Sequence, residues 1–77
     1  MTPAAGSSFT AVIEREDNLY VALCLELDIA SQGSSIENAL ENLKEAVELF
    51  LETADPKELK ERRREHVFVT KFQAANG

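Results

Sequence analysis

The stretch that decides the fold runs from residue 31 to residue 52 and reads SQGSSIENALENLKEAVELFLE. Its apolar residues recur at helical spacing and share one arc about 140° wide: Ile36, Ala39, Leu40, Leu43, Ala46, Val47, Phe50 and Leu51. Five glutamates, called the acidic stripe below, share a separate arc about 80° wide: Glu37, Glu41, Glu45, Glu48 and Glu52. The pattern predicts one long amphipathic helix over 34–53, with its apolar side on a sheet and its acidic side free.

The start of this helix carries a capping signal. Ser34 followed three residues later by Glu37 matches a capping box, in which the serine oxygen accepts from an early helix N–H and the glutamate reaches back. Ser35 is an equally good cap, so the boundary is open by one residue.

Short apolar stretches predict the strands. Residues 9–14, 19–25 and 29–32 form a predicted β-meander within 8–33, and Asn18 is expected to adopt the left-handed conformation of a hairpin turn. Asp55 and Pro56 start a short helix or connector over 55–65, and the run VFVTKF at 67–72 predicts a last strand. Residues 1–7 and 73–77 are expected to be tails.

The order β-β-β-α-β predicts a two-layer α+β domain. Three strands form an antiparallel meander, and the last strand lies parallel to the first after a right-handed crossover. One long helix can cover only one face of this sheet.

The second predicted strand is apolar on both faces. Leu19, Val21, Leu23 and Leu25 point to one side, which we expect the helix to bury. Tyr20, Ala22 and Cys24 point to the other and, with Val12, form a candidate oligomer interface. The alternative is that the 55–65 segment or a tail covers this second face.

Length and charge narrow the function classes. The chain has 77 residues and a single cysteine, so one small domain is expected without an intrachain disulfide. Residues up to 54 carry ten acids against two bases, and the rest carries six bases against four acids. An acidic body favours a basic protein partner over nucleic acid. The absence of a signal sequence or an apolar span predicts a cytoplasmic protein without membrane contact.

Catalytic, metal and cofactor sites are not expected. Cys24 lies in an apolar strand and is interpreted as a small hydrophobe. The only histidine, His66, lies in a charged run, and the glycines do not form a phosphate loop. The sequence therefore predicts a protein that is not an enzyme.

Each of two charged features can be interpreted either as a solvated surface or as a binding site. Arg62, Arg63 and Arg64 are flanked by glutamates, which favours a solvated face over nucleic-acid binding. The acidic stripe contains like-charge pairs at four-residue spacing, which destabilise a helix slightly. The stripe is therefore either a solubility face or a candidate partner-binding surface, with Leu49 at its edge.

The residues YVALCLELDIASQG followed by SSIENALENLKEAVELFLE resemble the HicB-like antitoxins of prokaryotic type II toxin–antitoxin systems. Ser31, Gln32 and Gly33 before the capped helix are the most specific part of the resemblance. It implies a partial ribonuclease-H-like fold without the active site, a homo-oligomer, and a small basic HicA-type mRNA-cleaving toxin as partner. Many such antitoxins continue into a DNA-binding domain, for which no room is expected after Phe72.

Three function hypotheses follow. The first is a non-catalytic antitoxin-type domain that neutralises such a toxin by binding it. The second is an orphan homo-oligomeric scaffold or regulatory domain. The third is a nucleic-acid binder that uses Arg62–Arg64.

Overall fold

A three-stranded antiparallel sheet and one long helix make up most of the described structure. The computed structural model describes residues 8–75, so the tail predicted at 1–7 and the last two residues lie outside it. The elements are β1 (Ala11–Glu16), β2 (Leu19–Cys24), β3 (Ile29–Gly33), α1 (Ile36–Thr53) and α2 (Pro56–Arg62). The strand order is β1-β2-β3. The predicted α+β meander followed by a helix is confirmed.

The first hairpin is tighter than predicted. Glu16 pairs with Leu19, which leaves Asp17 and Asn18 as a two-residue turn. Asp17 has the left-handed φ of 55°, and Asn18, which tolerates that conformation, does not adopt it. Aspartate tolerates this conformation because its short side chain can form local hydrogen bonds. The turn sets the register that decides which strand residues share a face.

The turn between β2 and β3 places a core residue that the sequence did not reveal. The N–H of Asp28 donates to the carbonyl of Cys24 at 2.8 Å, and Asp28 has a φ of 58°. This geometry turns Leu27 inward, where it is fully buried. Leu27 lies between two acids, and this polar setting masked its role.

The passage from β3 into α1 is a close contact. A Cβ on Gly33 would lie 2.5 Å from the backbone nitrogen of Ala39, so only glycine allows α1 to approach β3 this closely. Ser35 is the N-cap: its Oγ accepts from the N–H of Asn38 at 3.0 Å. Asn38 in turn accepts from the N–H of Ser34 at 3.0 Å. Asn38 therefore takes the role predicted for Glu37.

The two sheet faces are the reverse of the prediction. The helix covers Tyr20, Ala22 and Cys24, and the last two are 0% and 1% exposed. These three residues pack within their own chain and are not an oligomer interface. We expected the helix to cover the sheet face with the larger side chains. However, a helix that lies as close to the sheet as α1 does needs small residues beneath it. Val12 pairs with Leu23 and lies on the opposite, open face.

The C-terminal part begins as predicted and then differs. Asp55 caps α2 by accepting from the N–H of Glu58 at 2.8 Å, with Pro56 in the first turn. Residues 67–72 form no strand in the structure. Phe68 and Phe72 are 88% and 86% exposed, so the predicted fourth strand is wrong for the isolated chain. The run is β-prone, but it lies away from its own sheet.

Candidate functional site

The acidic stripe lies on the exposed side of α1. All five of its glutamates are exposed, and none of them caps the helix. Leu49, predicted at the edge of a contact surface, is 61% exposed. The stripe therefore presents negative charge and one large apolar side chain on a single rigid element. Such a surface can attract a basic protein by electrostatic complementarity, without catalysing a reaction.

An apolar groove runs beside the stripe, between β1 and α1. We call it the β1 groove; its volume is about 970 Å³. The apolar part of its wall comes from both elements and from β2: Phe9, Ala11, Cys24, Leu40, Leu43, Val47 and Leu51. Glu37, Glu41 and Glu48 stand on the α1 side of the groove, with Lys44 among them. The β1 groove is thus apolar inside and mostly acidic at its rim.

The groove exists because α1 is not centred on the sheet. The helix contacts β3 and β2 more than β1. As a result, Ile36 and Leu40, both expected in the core, are 49% and 46% exposed. Only Ala39, Leu43 and Val47 of the helix are buried. The edge of β1 and this side of α1 therefore lack a neighbouring strand within the described residues 8–75.

The three consecutive arginines bind their own chain. Arg62 donates from Nε to the carbonyl of Leu27 at 2.9 Å and from Nη2 to that of Asp28 at 3.1 Å. Its guanidinium also lies 5.4 Å from the ring centroid of Phe50.

Arg63 stacks on the ring of Phe9 at 5.2 Å. The backbone N–H of Arg64 donates to the carbonyl of Glu26 at 2.8 Å. Arg62 and Arg64 thus attach the end of α2 and the chain after it to the turn between β2 and β3, and Arg63 packs on Phe9 just before β1. All three arginines therefore have structural contacts within their own chain.

Cys24 and Glu26 form a small polar cluster at the end of β2. Burial raises the pKa of the Cys24 thiol, so the thiol stays protonated and is a poor nucleophile. Burial also opposes ionisation of Glu26. However, Thr10 donates from its N–H at 2.6 Å and from its hydroxyl at 2.7 Å, and these bonds hold the pKa of Glu26 below its ordinary value. This cluster ties the start of β1 to the turn after β2.

His66 is exposed and lies beside Glu26, Arg63 and Arg64 in a shallow charged depression. Within residues 8–75 no three His, Cys, Asp or Glu side chains converge in a way that could hold a metal ion. None of the helices in that range is long and apolar enough to cross a membrane.

Two curated proteins resemble this chain. A UPF0150 protein of Helicobacter pylori (strain J99) is 48% identical over 50 residues, which cover 64% of this chain and 69% of that protein. A second, from Synechocystis, is 38% identical over 55 residues, covering 69% of this chain and 70% of that protein. The chain belongs to the UPF0150 family. No family model and no solved structure matches it.

This UPF0150 protein uses the predicted motif residues for packing. Gly33 allows the close approach of α1, and the carbonyl of Gln32 accepts from Nδ2 of Asn42 at 2.8 Å. Ser31 pairs with Ala22 on the helix-covered face. The roles of Asn38, Glu26 and Leu27 were not predicted from the sequence. The signal for Asn38 was its position three residues after Ser35, and Glu26 and Leu27 lie in a polar break between two strands.

Proposed function

We propose that this UPF0150 protein is a non-catalytic, antitoxin-type binding domain of the cytoplasm. It would neutralise a small basic mRNA-cleaving toxin of the HicA type by direct contact. The observation that carries the proposal is the acidic stripe, which stands fully exposed on a rigid helix. The resemblance of residues 20–52 to HicB-like antitoxins supports the same conclusion, and so does the meander followed by a helix, which fits part of a ribonuclease-H-like fold.

The chemistry of the surface agrees with binding rather than catalysis. A basic toxin would place lysines and arginines opposite glutamates that now repel one another at four-residue spacing. Binding would thus relieve a repulsion inside the helix and also add attraction across the interface. Leu49 gives the surface an apolar contact at its edge.

The test is co-expression with any small basic protein that is encoded beside this chain. We expect the two to co-purify, and we expect co-expression to restore the growth that the basic protein alone arrests. If no basic neighbour is encoded, or if the pair neither co-purifies nor rescues growth, the antitoxin function is excluded.

A charge-reversal pair tests the stripe itself. Glu45→Lys with Glu52→Lys leaves the β1 groove untouched and removes two like-charge pairs, Glu41–Glu45 and Glu48–Glu52, so the fold should persist. We expect the dissociation constant for the toxin to rise by about tenfold or more, which is about 1.4 kcal/mol. The matched control is Glu14→Lys with Glu16→Lys on β1, which changes the charge equally. Equal effects of both pairs would show that only net charge matters.

The second candidate is a homo-oligomeric scaffold without a toxin. Its supporting observation is the open sheet face, where Val12, Val21 and Leu23 lie side by side opposite the helix. A stable homo-oligomer that captures no basic partner would favour this function. Nucleic-acid binding through Arg62–Arg64 has less support, because these residues already contact carbonyls and aromatic rings. It predicts binding that weakens steeply with salt.

A further inference from the structure

Two features of this chain lack a counterpart within it. One is the β1 groove, which leaves a strand edge open beside exposed apolar residues of α1. The other is the segment 67–72, which is rich in β-branched and aromatic residues and pairs with no strand of the sheet. We propose that the segment of one copy inserts as a fourth strand into the β1 groove of a second copy, and that the exchange is reciprocal.

The segment has the side-chain pattern of an inserted strand. In an extended strand Phe68, Thr70 and Phe72 share one face, and Val67, Val69 and Lys71 share the other. The two phenylalanines would enter the groove beneath α1, against Leu40 and Leu51. The two valines would extend the open sheet face beside Val12. Lys71 can reach solvent from there because its charge sits at the end of a long stem.

The backbone of β1 supplies the hydrogen bonds. As an edge strand it presents N–H and C=O groups that β2 does not use. Strand addition to such an edge gains affinity from main-chain hydrogen bonds and specificity from alternate side chains. Val67–Phe72 has the β-branched and aromatic residues that favour this conformation.

Charge also favours this occupant. The rim of the groove carries Glu37, Glu41 and Glu48. Between His66 and Ala75 the chain has no acidic residue, and its only formally charged side chain is Lys71. Insertion therefore brings no like charge to the acidic rim, and it adds one cation near it.

The buried area is sufficient for a stable dimer. A phenylalanine buries about 150–250 Å², so four of them across a reciprocal exchange contribute roughly 600–1,000 Å². The groove walls that cover them lose additional area, so the total approaches the lower end of the about 1,200–2,000 Å² of a standard interface.

The chain's own contacts explain why the segment serves a second copy. Arg62 and Arg64 hold the connector against the turn between β2 and β3. Beyond this anchor, Phe68 and Phe72 are almost fully exposed instead of filling the groove of their own chain. A reciprocal exchange removes both exposed surfaces at once and forms a closed, two-fold assembly.

The experiment uses the full chain and a paired set of variants. Wild type should sediment as a dimer, and Phe68→Ser with Phe72→Ser should raise the dimer dissociation constant by about a hundredfold. Both phenylalanines are exposed within the single chain, so the far-UV circular dichroism of the variant should show that the helices persist. The control is Leu49→Ser, which removes another exposed apolar residue outside the groove and should leave the dimer intact.

A cross-linking measurement separates exchange from folding back. One tagged copy carries Ala11→Cys on β1, and a differently tagged copy carries Thr70→Cys. After unfolding and refolding together, a short bifunctional maleimide should join the two tags. Both copies also carry Cys24→Ala, because Cys24 lies directly opposite position 11 in the register of β1 and β2 and would otherwise compete for the reagent.

Three outcomes would overturn the inference. They are a monomeric wild type, a dimer that tolerates the loss of both phenylalanines, and a cross-link that forms only when both cysteines lie on one chain. The measurements need no toxin, so they decide this inference separately from the proposed function.

Discussion

The two long margins of α1 meet the sheet in different ways. At the β3 margin, Gly33 contacts Ala39 so closely that a single added carbon would clash, and Asn42 bonds the strand backbone. At the β1 margin, Leu40 stays 46% exposed above a groove. One margin is completed by residues next to it in sequence, whereas the other has no neighbouring strand within residues 8–75. The first margin is therefore tightly packed, and the second is an open groove.

The largest effect is expected when a charge is placed beneath the helix. Leu43 is 3% exposed, so Leu43→Asp buries a carboxylate without a partner and should unfold the domain. Leu40→Asp, less than one turn away, faces the groove and should leave the chain helical while preventing dimer formation. Circular dichroism and sedimentation check both. If Leu40→Asp also unfolds the chain, the two margins are equally buried and the comparison fails.

The β3 margin is tested by one added carbon. Gly33→Ala should lower the free energy of unfolding by about 1–3 kcal/mol, because the new Cβ meets the backbone of Ala39 rather than a flexible side chain. Urea denaturation measures the change. The control Gln32→Ala alters the neighbouring residue, whose side chain is exposed, and should have little effect. If Gly33→Ala leaves the free energy of unfolding unchanged, α1 can shift on the sheet.

The cap at the same margin should have a smaller effect. Ser35→Ala removes the oxygen that accepts from Asn38 and should cost about 1 kcal/mol. Ser34→Ala removes a hydroxyl whose hydrogen bond to Asn38 is long, at 3.5 Å. This substitution should therefore lower the stability by less. Thermal unfolding of the pair decides between the two candidate caps. The reverse order would move the start of the helix by one residue.

The smallest effect is expected from acid at the start of β1, next to the groove. Hydrogen bonds from Thr10 hold the pKa of Glu26 below its ordinary value of 4.5. The stability that these bonds add is therefore complete above about pH 4.5 and is lost as the pH falls through the lower pKa of the folded state. Glu26→Gln should be less stable than wild type at neutral pH, and the difference should shrink in acid.

Urea denaturation between neutral pH and pH 3 measures this dependence. Glu14→Gln, which removes an exposed carboxylate from the same hairpin, is the control and should track the wild type. If the difference in the free energy of unfolding between Glu26→Gln and wild type does not change with pH, the cluster stabilises the fold through packing and not through the charge of Glu26.

Local patterns predicted much of this fold. Helical periodicity located α1, alternation located the three strands, and Asp55-Pro56 located the start of α2. These signals are local because they depend on backbone conformation and on neighbours within one turn. The acidic stripe could also be found, since the angular position of a residue on a helix follows from its number alone.

Other features depend on residues distant in sequence. Which face of β2 the helix covers was predicted wrongly, because both faces are apolar and the decision rests on how closely α1 can approach Ala22. The position of α1 relative to β1 leaves Leu40 and Ile36 outside the core, although their periodicity matches that of Leu43.

The sequence by itself determined the three strands, the two helices and the charge of the exposed side of α1. Only the tertiary structure decided which sheet face is covered, how closely α1 approaches Gly33, the attachment of Arg62 and Arg64 to the β2–β3 turn, and that residues 67–72 pair with no strand of their own sheet. The physical reason is that strand propensity shows that a segment can pair, whereas its partner depends on which edge is open within reach.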